Sequence, residues 1–408
     1  MLTFKQTKLK NGLDVIAEIN DRAHSVAVGF MVKTGSRDET AQISGVSHFL
    51  EHMMFKGTAK RNSQQVNEAF DAMGAKNNAF TSNEVTCYWA QVLPEFTEPA
   101  VELLADMLRP SLGGEDFNME KKVILEEIAL YLDRPSHVLF EAVMEDHFAG
   151  HSMANSVLGT RESVAALSRD QMKTYFDARY GPGNMVLAAA GALDFDELVA
   201  MAEKYCGNWA TVNAPRVYNV PQLLGKRRHI QDAKLKRHYI AGLCAGPSAQ
   251  EEARYAAMVL ADVLGDQEGS RLFWALVEPG LADEADFSFY PHDQTGSFMI
   301  YASCDPERAS QVEGILLGEL QKVLKEGLTE EEVRRSKNKI ETATVLHGEL
   351  PLGRMRGLAS RWTYTREYRT LEEDLAKLES ITKKDLLAVA GDSGFAPMTI
   401  TTLGPAAG

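Results

Sequence analysis

The residues best suited to chemistry lie in the segment GVSHFLEHMMFKGT, residues 45–58. It places His48, Glu51 and His52 in a run that is otherwise largely apolar. Positions three and four apart share one face of a helix, so the two imidazoles would point the same way, one turn apart. Two such nitrogens suit one Zn²⁺ ion, which lowers the pKa of its water to about 7. Glu51 could then take a proton from that water and pass it to a leaving amine.

The alternative is a chance match of five residues on a core helix, expected in about one chain in a hundred of this length. The apolar neighbours Phe49, Leu50 and Met53 predict burial. An unpaired polar group costs about 1–3 kcal/mol when it is buried, and a metal ion with its water removes that cost. The segment therefore predicts a zinc site, and the order H-x-x-E-H is a known signature of peptidases.

A catalytic zinc usually has three protein ligands and one open position. His147 and His151 are the only other histidines four positions apart, and Gly150 makes a helix between them doubtful. A third histidine ligand is therefore hard to place, and we expect a carboxylate instead.

The helix predicted over MEKKVILEEIALY, residues 119–131, offers the carboxylates of Glu120, Glu126 and Glu127. Glu127 falls on the apolar seam of this helix and should point to the core, where a lone carboxylate needs a cation. Glu126 falls on a polar side and is expected to be solvated, which favours Glu127 as the ligand. Glu120 lies two turns earlier on the face of Glu127 and could orient a ligand or the water. The seam residues are Val123, Ile124, Glu127, Ile128 and Tyr131.

Composition limits the classes of function. The 408 residues, 45% hydrophobic and 25% charged, predict a globular protein of two or more domains. A formal charge of −14 disfavours nucleic acid as a partner and favours basic ligands. Four cysteines without a CxxC pair indicate a reducing compartment, and no apolar run is long enough to span a membrane. The N-terminal sequence has no secretory signal, and we expect a cytoplasmic protein. The alternative is a chain whose presequence was removed before residue 1.

The order of predicted elements occurs twice along the chain. The strand at 26–32, the histidine helix and the hairpin at 77–93 have counterparts at 238–246, 255–265 and beyond. The counterpart of the histidine helix contains no histidine. The proline-containing segment 213–225 separates the two copies and is expected to be a linker. We predict two homologous α+β domains, residues 1–212 with the metal site and 226–408 without metal ligands.

These motifs make the chain similar to the pitrilysin-type, or inverzincin, zinc metallopeptidases. Within that family it resembles the subgroup of the mitochondrial processing peptidase β-subunit and its short bacterial relatives. The resemblance rests on NGLDV, KTGSRDE, the histidine segment, NAFTSNEVTCY, VILEEI, VLGT and YGPGNMVLAAAG in the first half, and GSRLF, GLA and TGSFMIYA in the second. It implies one Zn²⁺ per chain held by His48, His52 and Glu127. Glu51 would be the general base, and Glu120 the supporting acid.

The resemblance also implies a duplicated fold, in which each half is a mainly antiparallel β-sheet flanked by α-helices. Two halves would form a clamshell chamber around an unfolded peptide. Asn78, Ala79 and Phe80 resemble the substrate-pairing edge strand of the family, where backbone hydrogen bonds hold the peptide. An ordinary inner strand is the alternative for this segment.

The second half departs from the family pattern. Active members commonly carry an arginine and a tyrosine, around a segment like GLAY, that hold the substrate opposite the zinc. In LFWALVEPGLADEAD, residues 272–286, Leu276 stands at the expected arginine position and Asp283 at the expected tyrosine position. The chain would then act either as a heterodimer, with a related subunit that supplies the pair, or as a homodimer with a charge-based grip on substrate.

Two functional hypotheses follow. The leading one is a zinc endopeptidase of the bacterial cytoplasm that cleaves short or unfolded peptides. Basic peptides would be preferred if the acidic stretch 115–146 lined the chamber, although that stretch could equally be a solvated outer face. The alternative is a non-catalytic scaffold or peptide-binding subunit, as in respiratory-complex core proteins. The intact set of His48, Glu51, His52 and Glu127 favours the enzyme, since a scaffold has no physical need to keep it.

Overall fold

The structure, a computed structural model, describes residues 2–405. Its strands are β1 (Leu2–Lys8), β2 (Asp14–Asn20), β3 (Val26–Val32), β4 (Lys76–Thr81), β5 (Thr86–Val92), β6 (Met185–Gly191), β7 (Arg227–Gln231), β8 (His238–Ala245), β9 (Glu284–His292), β10 (Thr295–Cys304) and β11 (Thr399–Gly404). Its α-helices are α1 (Val46–Met54), α2 (Ser63–Ala72), α3 (Thr97–Met107), α4 (Gly114–Leu132), α5 (Pro135–His147), α6 (Arg161–Ala166), α7 (Arg169–Arg179), α8 (Phe195–Cys206), α9 (Arg254–Gly265), α10 (Ala309–Glu326), α11 (Glu330–Gly348), α12 (Pro351–Thr365), α13 (Leu371–Ser380) and α14 (Lys383–Ser393). A π-helical turn spans Phe273–Val277.

The first sheet has the strand order β1-β2-β6-β3-β5-β4. Only β2 and β6 run parallel; the other neighbours are antiparallel. Every residue of β3 and β6 is buried, which explains why both sequences are almost continuously apolar. The strand β4 lies at one edge, where it pairs with β5 as the predicted hairpin.

The second sheet repeats this topology. Its order is β7-β11-β8-β10-β9, with β7 and β11 parallel and the remaining neighbours antiparallel. Strand by strand it matches the part of the first sheet from β2 to β4, and α9 follows β8 as α1 follows β3. The predicted α+β class and the duplication of one sheet-and-helix domain are therefore confirmed.

The chain divides into two compact units that exchange segments. The first comprises residues up to 129, 155–217 and 346–368, and the second comprises 130–154, 218–345 and 369 onwards. As a result, α12 packs on β3 and β6 of the first sheet, and α5 packs on β8 and β11 of the second. Residues 210–226 contain no helix or strand. The predicted division into domains 1–212 and 226–408, with a linker at 213–225, stays a prediction.

The helices α1 and α4 of the first unit carry the predicted site. Phe49 of α1 stacks on Phe117 of α4 with ring centroids 4.8 Å apart. On α4 the buried residues are Phe117, Glu120, Ile124 and Ile128. Val123, which we expected on the buried seam, has 47% of its surface exposed. The buried stripe is thus rotated by about one position, and Glu127 lies at its border.

The four cysteines are all buried, and none is in a disulfide. Within residues 2–405, no helix has the length and apolar character needed to cross a membrane.

Candidate metal centre

A buried carboxylate holds the N-terminus of α1. Gly45 precedes the helix with a φ of +89°, and a Cβ there would approach the Leu158 carbonyl oxygen to 2.6 Å. The carboxylate of Glu39 accepts hydrogen bonds from the backbone amides of Gly45 and Ser47, each 2.7 Å long. Burial raises the pKa of Glu39 to about 8, although these hydrogen bonds oppose the shift. The first turn of α1, which leads into His48, is therefore fixed from outside the helix.

The three predicted ligands converge. Oε2 of Glu127 lies 3.8 Å from Nε2 of His48 and 3.6 Å from Nε2 of His52. One donor atom from each residue lies within 4.8 Å of the other two. Between residues 2 and 405 this is the only group of three or more His, Cys, Asp or Glu side chains close enough to hold an ion. Glu126, the alternative carboxylate, is exposed.

The donor set fits zinc. Ligand atoms about 2.0–2.1 Å from a tetrahedral zinc are about 3.3 Å apart, a few tenths of an ångström less than the two separations from Glu127. Two imidazoles and one carboxylate leave the fourth position of the ion open, as in catalytic zinc sites.

The environment of His48 keeps its imidazole neutral. Its side chain is buried, and its Nδ1 has no hydrogen-bond partner in the described part of the chain. Burial, with a smaller contribution from the nearby His52, lowers the pKa of His48 to about 4. The imidazole is therefore neutral near pH 7, which is the form that binds a metal.

Glu120 orients His52. The His52 ring donates from Nδ1 to Oε1 of Glu120 over 2.8 Å, which leaves Nε2 facing Glu127. The other oxygen of Glu120 lies 2.6 Å from Nζ of Lys56. Burial alone would raise the pKa of Glu120, but the hydrogen bonds with His52 and Lys56 outweigh it and the pKa is lowered. Carboxylates that fix the tautomer of a metal-binding imidazole in this way are common.

Glu51 lies in α1 beside the ligands. Its Oε2 accepts a hydrogen bond of 2.6 Å from the hydroxyl of Thr81, the last residue of β4. Burial raises the pKa of Glu51; Thr81 and His52 oppose the rise, and Glu127 adds to it. A carboxyl with a raised pKa takes up and releases a proton closer to neutral pH.

The predicted substrate-binding residues lie on the edge strand β4. Asn78 is exposed, Ala79 is buried, and Phe80 is partly buried. The amide of Ala79 donates to Oδ1 of its neighbour Asn78, and Arg356 of α12 lies over the ring of Phe80, 5.0 Å from its centroid. Residues 78–80 thus lie on an edge strand of the first sheet, and the alternative that they belong to an inner strand is wrong.

The second unit contains the two positions that depart from the family pattern. Leu276, at the expected arginine position, is fully buried in the core of this unit, so its own side chain does not reach solvent. The next residue of the π-helical turn, Val277, lines a cavity of about 560 Å³ together with Asp283. Asp283 is paired with Arg237 of the same unit.

Three residues of the site were missed by sequence reasoning. Lys56 follows His52 by one helical turn, so its spacing carried a usable signal. Thr81 contacts Glu51, which is 30 positions away in the sequence, and Glu39 contacts Ser47, which is 8 positions away. Neither contact follows the period of a helix or a strand, so no sequence pattern predicted it.

Comparisons with known proteins indicate the family of the chain. Residues 14–161 match the model of the Insulinase family, Peptidase family M16, and residues 166–340 match the Peptidase M16 inactive domain. A protein of Mycobacterium tuberculosis named as an uncharacterized zinc protease is 34% identical over 397 residues, 95% of this chain and 90% of its own.

Solved structures share the fold. A protease from Helicobacter pylori has a TM-score of 0.92 at 20% identity, covering 99% of this chain and 100% of that one. A chain of complex III from Candida albicans has a TM-score of 0.86 at 21% identity, covering 98% and 95%. With the two family models and the 34% identical relative, these findings lead to one assignment: the chain belongs to the M16, or insulinase, family of zinc metallopeptidases.

Proposed function

We propose that this chain is a zinc-dependent endopeptidase that hydrolyses short or unfolded peptides. The observation that carries the proposal is the convergence of His48, His52 and Glu127 beside Glu51. His48 is buried, and His52, Glu51 and Glu127 are partly buried beside it; polar groups gathered in this way cost free energy unless a cation binds there. The zinc named for the relatives satisfies this requirement.

Each side chain then has a defined task. A zinc ion held by His48, His52 and Glu127 would supply Lewis-acid chemistry, polarising a peptide carbonyl and acidifying water. Glu51 accepts the proton of the attacking water and returns it to the leaving amine nitrogen. The Thr81 hydroxyl keeps the Glu51 carboxylate in one orientation, and Glu120 keeps Nε2 of His52 free to bind.

The edge strand β4 supplies a place for the substrate backbone. An extended peptide can add to an exposed sheet edge through main-chain hydrogen bonds, here along Asn78, Ala79 and Phe80. Because Thr81 ends the same strand and contacts Glu51, a peptide docked on β4 would run towards the base. Strand docking predicts a preference for unfolded substrates, since a folded chain has no free backbone to offer.

The alternative function is a non-catalytic scaffold or peptide-binding subunit. The fold is compatible with both functions, because a chain of complex III from Candida albicans shares it. Catalysis is favoured because the three ligands are complete, Glu120 orients His52, and Thr81 orients the proposed base Glu51. The closed chamber, the homodimeric or heterodimeric state and a cytoplasmic location stay predictions.

The test is metal analysis of the purified chain combined with peptide cleavage, with and without a chelator. We expect one Zn²⁺ per chain and cleavage that the chelator abolishes. Glu51→Gln should abolish cleavage while zinc stays bound, because the amide cannot take a proton and residue 51 is not a ligand. Glu126→Gln is the matched control and should cleave normally.

Wild-type turnover in Glu51→Gln would contradict the mechanism. Full zinc occupancy without cleavage of any unfolded peptide would favour the scaffold.

A further inference from the structure

Lys56 connects the buried part of the metal centre to its surface. It lies two residues beyond the end of α1, and its side chain is 34% exposed, whereas that of Glu120 is 4% exposed. Its Nζ is 2.6 Å from Oε2 of Glu120, whose Oε1 accepts from His52. The two oxygens of this buried carboxylate therefore have different partners, one imidazole and one ammonium group.

Two effects of Lys56 on a bound dication have opposite signs. A positive charge near the ion repels it and would weaken binding. The same charge compensates the buried carboxylate and fixes its direction, which would strengthen binding through His52. The repulsion comes from a partly exposed side chain and is screened by solvent. The pairing acts on a carboxylate that is 3% exposed, where the loss of a partner is costly.

We propose that Lys56 is a positioning residue of the metal centre: it holds Oε2 of Glu120, keeps Oε1 on Nδ1 of His52, and so raises the affinity of the site for Zn²⁺. This inference rests on the proposed zinc site. It concerns the surroundings of the ligands and does not make Lys56 a ligand or a catalytic group.

The test measures zinc affinity by competition with a chromophoric chelator, using the full chain. Lys56→Met keeps the length of the side chain and removes the charge, and it should lower the affinity about tenfold. Lys56→Arg should keep most of the affinity, because a guanidinium also donates to a carboxylate. Lys60→Met is the matched control and should change nothing, since Lys60 is 62% exposed and pairs with Glu102 and Asp106. Circular dichroism of the metal-free variants verifies folding, and Lys56→Gln replaces Lys56→Met if that variant does not fold.

A double-variant experiment tests the route through Glu120. In a Glu120→Gln background, adding Lys56→Met should cause no further loss of zinc affinity. An affinity of Lys56→Met equal to or above that of the unaltered chain would overturn the inference, because repulsion would then dominate. A further full tenfold loss in the double variant would overturn the route. Failure of the unaltered chain to bind zinc would instead reject the proposed function itself.

Discussion

Among single residues, the choice between Glu127 and Glu126 decides the composition of the metal centre. Glu127 has an oxygen 3.6 Å from Nε2 of His52, whereas Glu126 is exposed. Glu127→Gln should lower zinc affinity at least about tenfold, because the neutral amide is a poor zinc ligand. Glu126→Gln should leave zinc affinity unchanged. Zinc content after dialysis measures both, and equal content in the two variants would show that the wrong carboxylate was chosen.

Helical spacing was enough to put His48 and His52 on one face of α1, and the burial pattern of α4 favoured Glu127 over Glu126. The contact between the two helices was not contained in either pattern. The assignment of Leu276 to the arginine position came from the family resemblance and stays a prediction; its side chain is buried in the core. The structure places Val277 at the cavity instead. Thr81 could not be predicted, since its contact with Glu51 depends on how β4 and α1 pack.

For the elements, the capping of α1 by Glu39 gives a pH-dependent prediction. Burial raises the pKa of Glu39 in the folded chain to about 8, above the value of about 4.3 expected when unfolded. Between these values the folded state binds the additional proton, so this group makes the free energy of unfolding fall as the pH rises. Glu39→Gln removes that contribution and leaves one backbone amide without an acceptor, which costs about 1–3 kcal/mol.

The expected outcome is that Glu39→Gln is less stable than the unaltered chain at pH 5, by a margin that narrows towards pH 8. Urea unfolding of chelator-treated protein at several pH values measures it. Gln65→Glu, at the exposed start of α2, is a surface control that should show no such trend. A margin that widens with pH would mean that Glu39 is ionised in the folded chain.

The order of elements was predictable because strand alternation and helical spacing are local. The positions of α5 and α12 were not. Each has an apolar side that requires burial, but amphipathicity does not specify which sheet covers it. Here α5 packs on the second sheet although it precedes the linker, and α12 packs on the first.

Across the whole molecule, the charge of −14 gives a prediction about substrates. Basic peptides should be cleaved faster than matched acidic ones at low salt, and the difference should fade as salt is added. The effect should be modest, because Glu145 and Asp146 of the acidic stretch already pair with Arg228. Cleavage rates of the two peptides against salt concentration measure it, and equal rates at low salt would remove the hypothesis.

The side chains around Asp283 bear on whether the chain acts as a homodimer or with a related partner. A homodimer could grip a basic side chain through Asp283 only if that carboxylate were available, but it is paired with Arg237. Its neighbour in the cavity, Val277, offers no polar side-chain group. Neither residue can hold a peptide carbonyl as an arginine and a tyrosine could, and the heterodimer is therefore favoured.

We expect the chain alone to cleave weakly and to gain activity with a related chain that carries the arginine and the tyrosine. Asp283→Asn should change this activity little. Light scattering and cleavage assays on the same samples check this, and robust cleavage by a homodimer that Asp283→Asn weakens would reject the partner requirement.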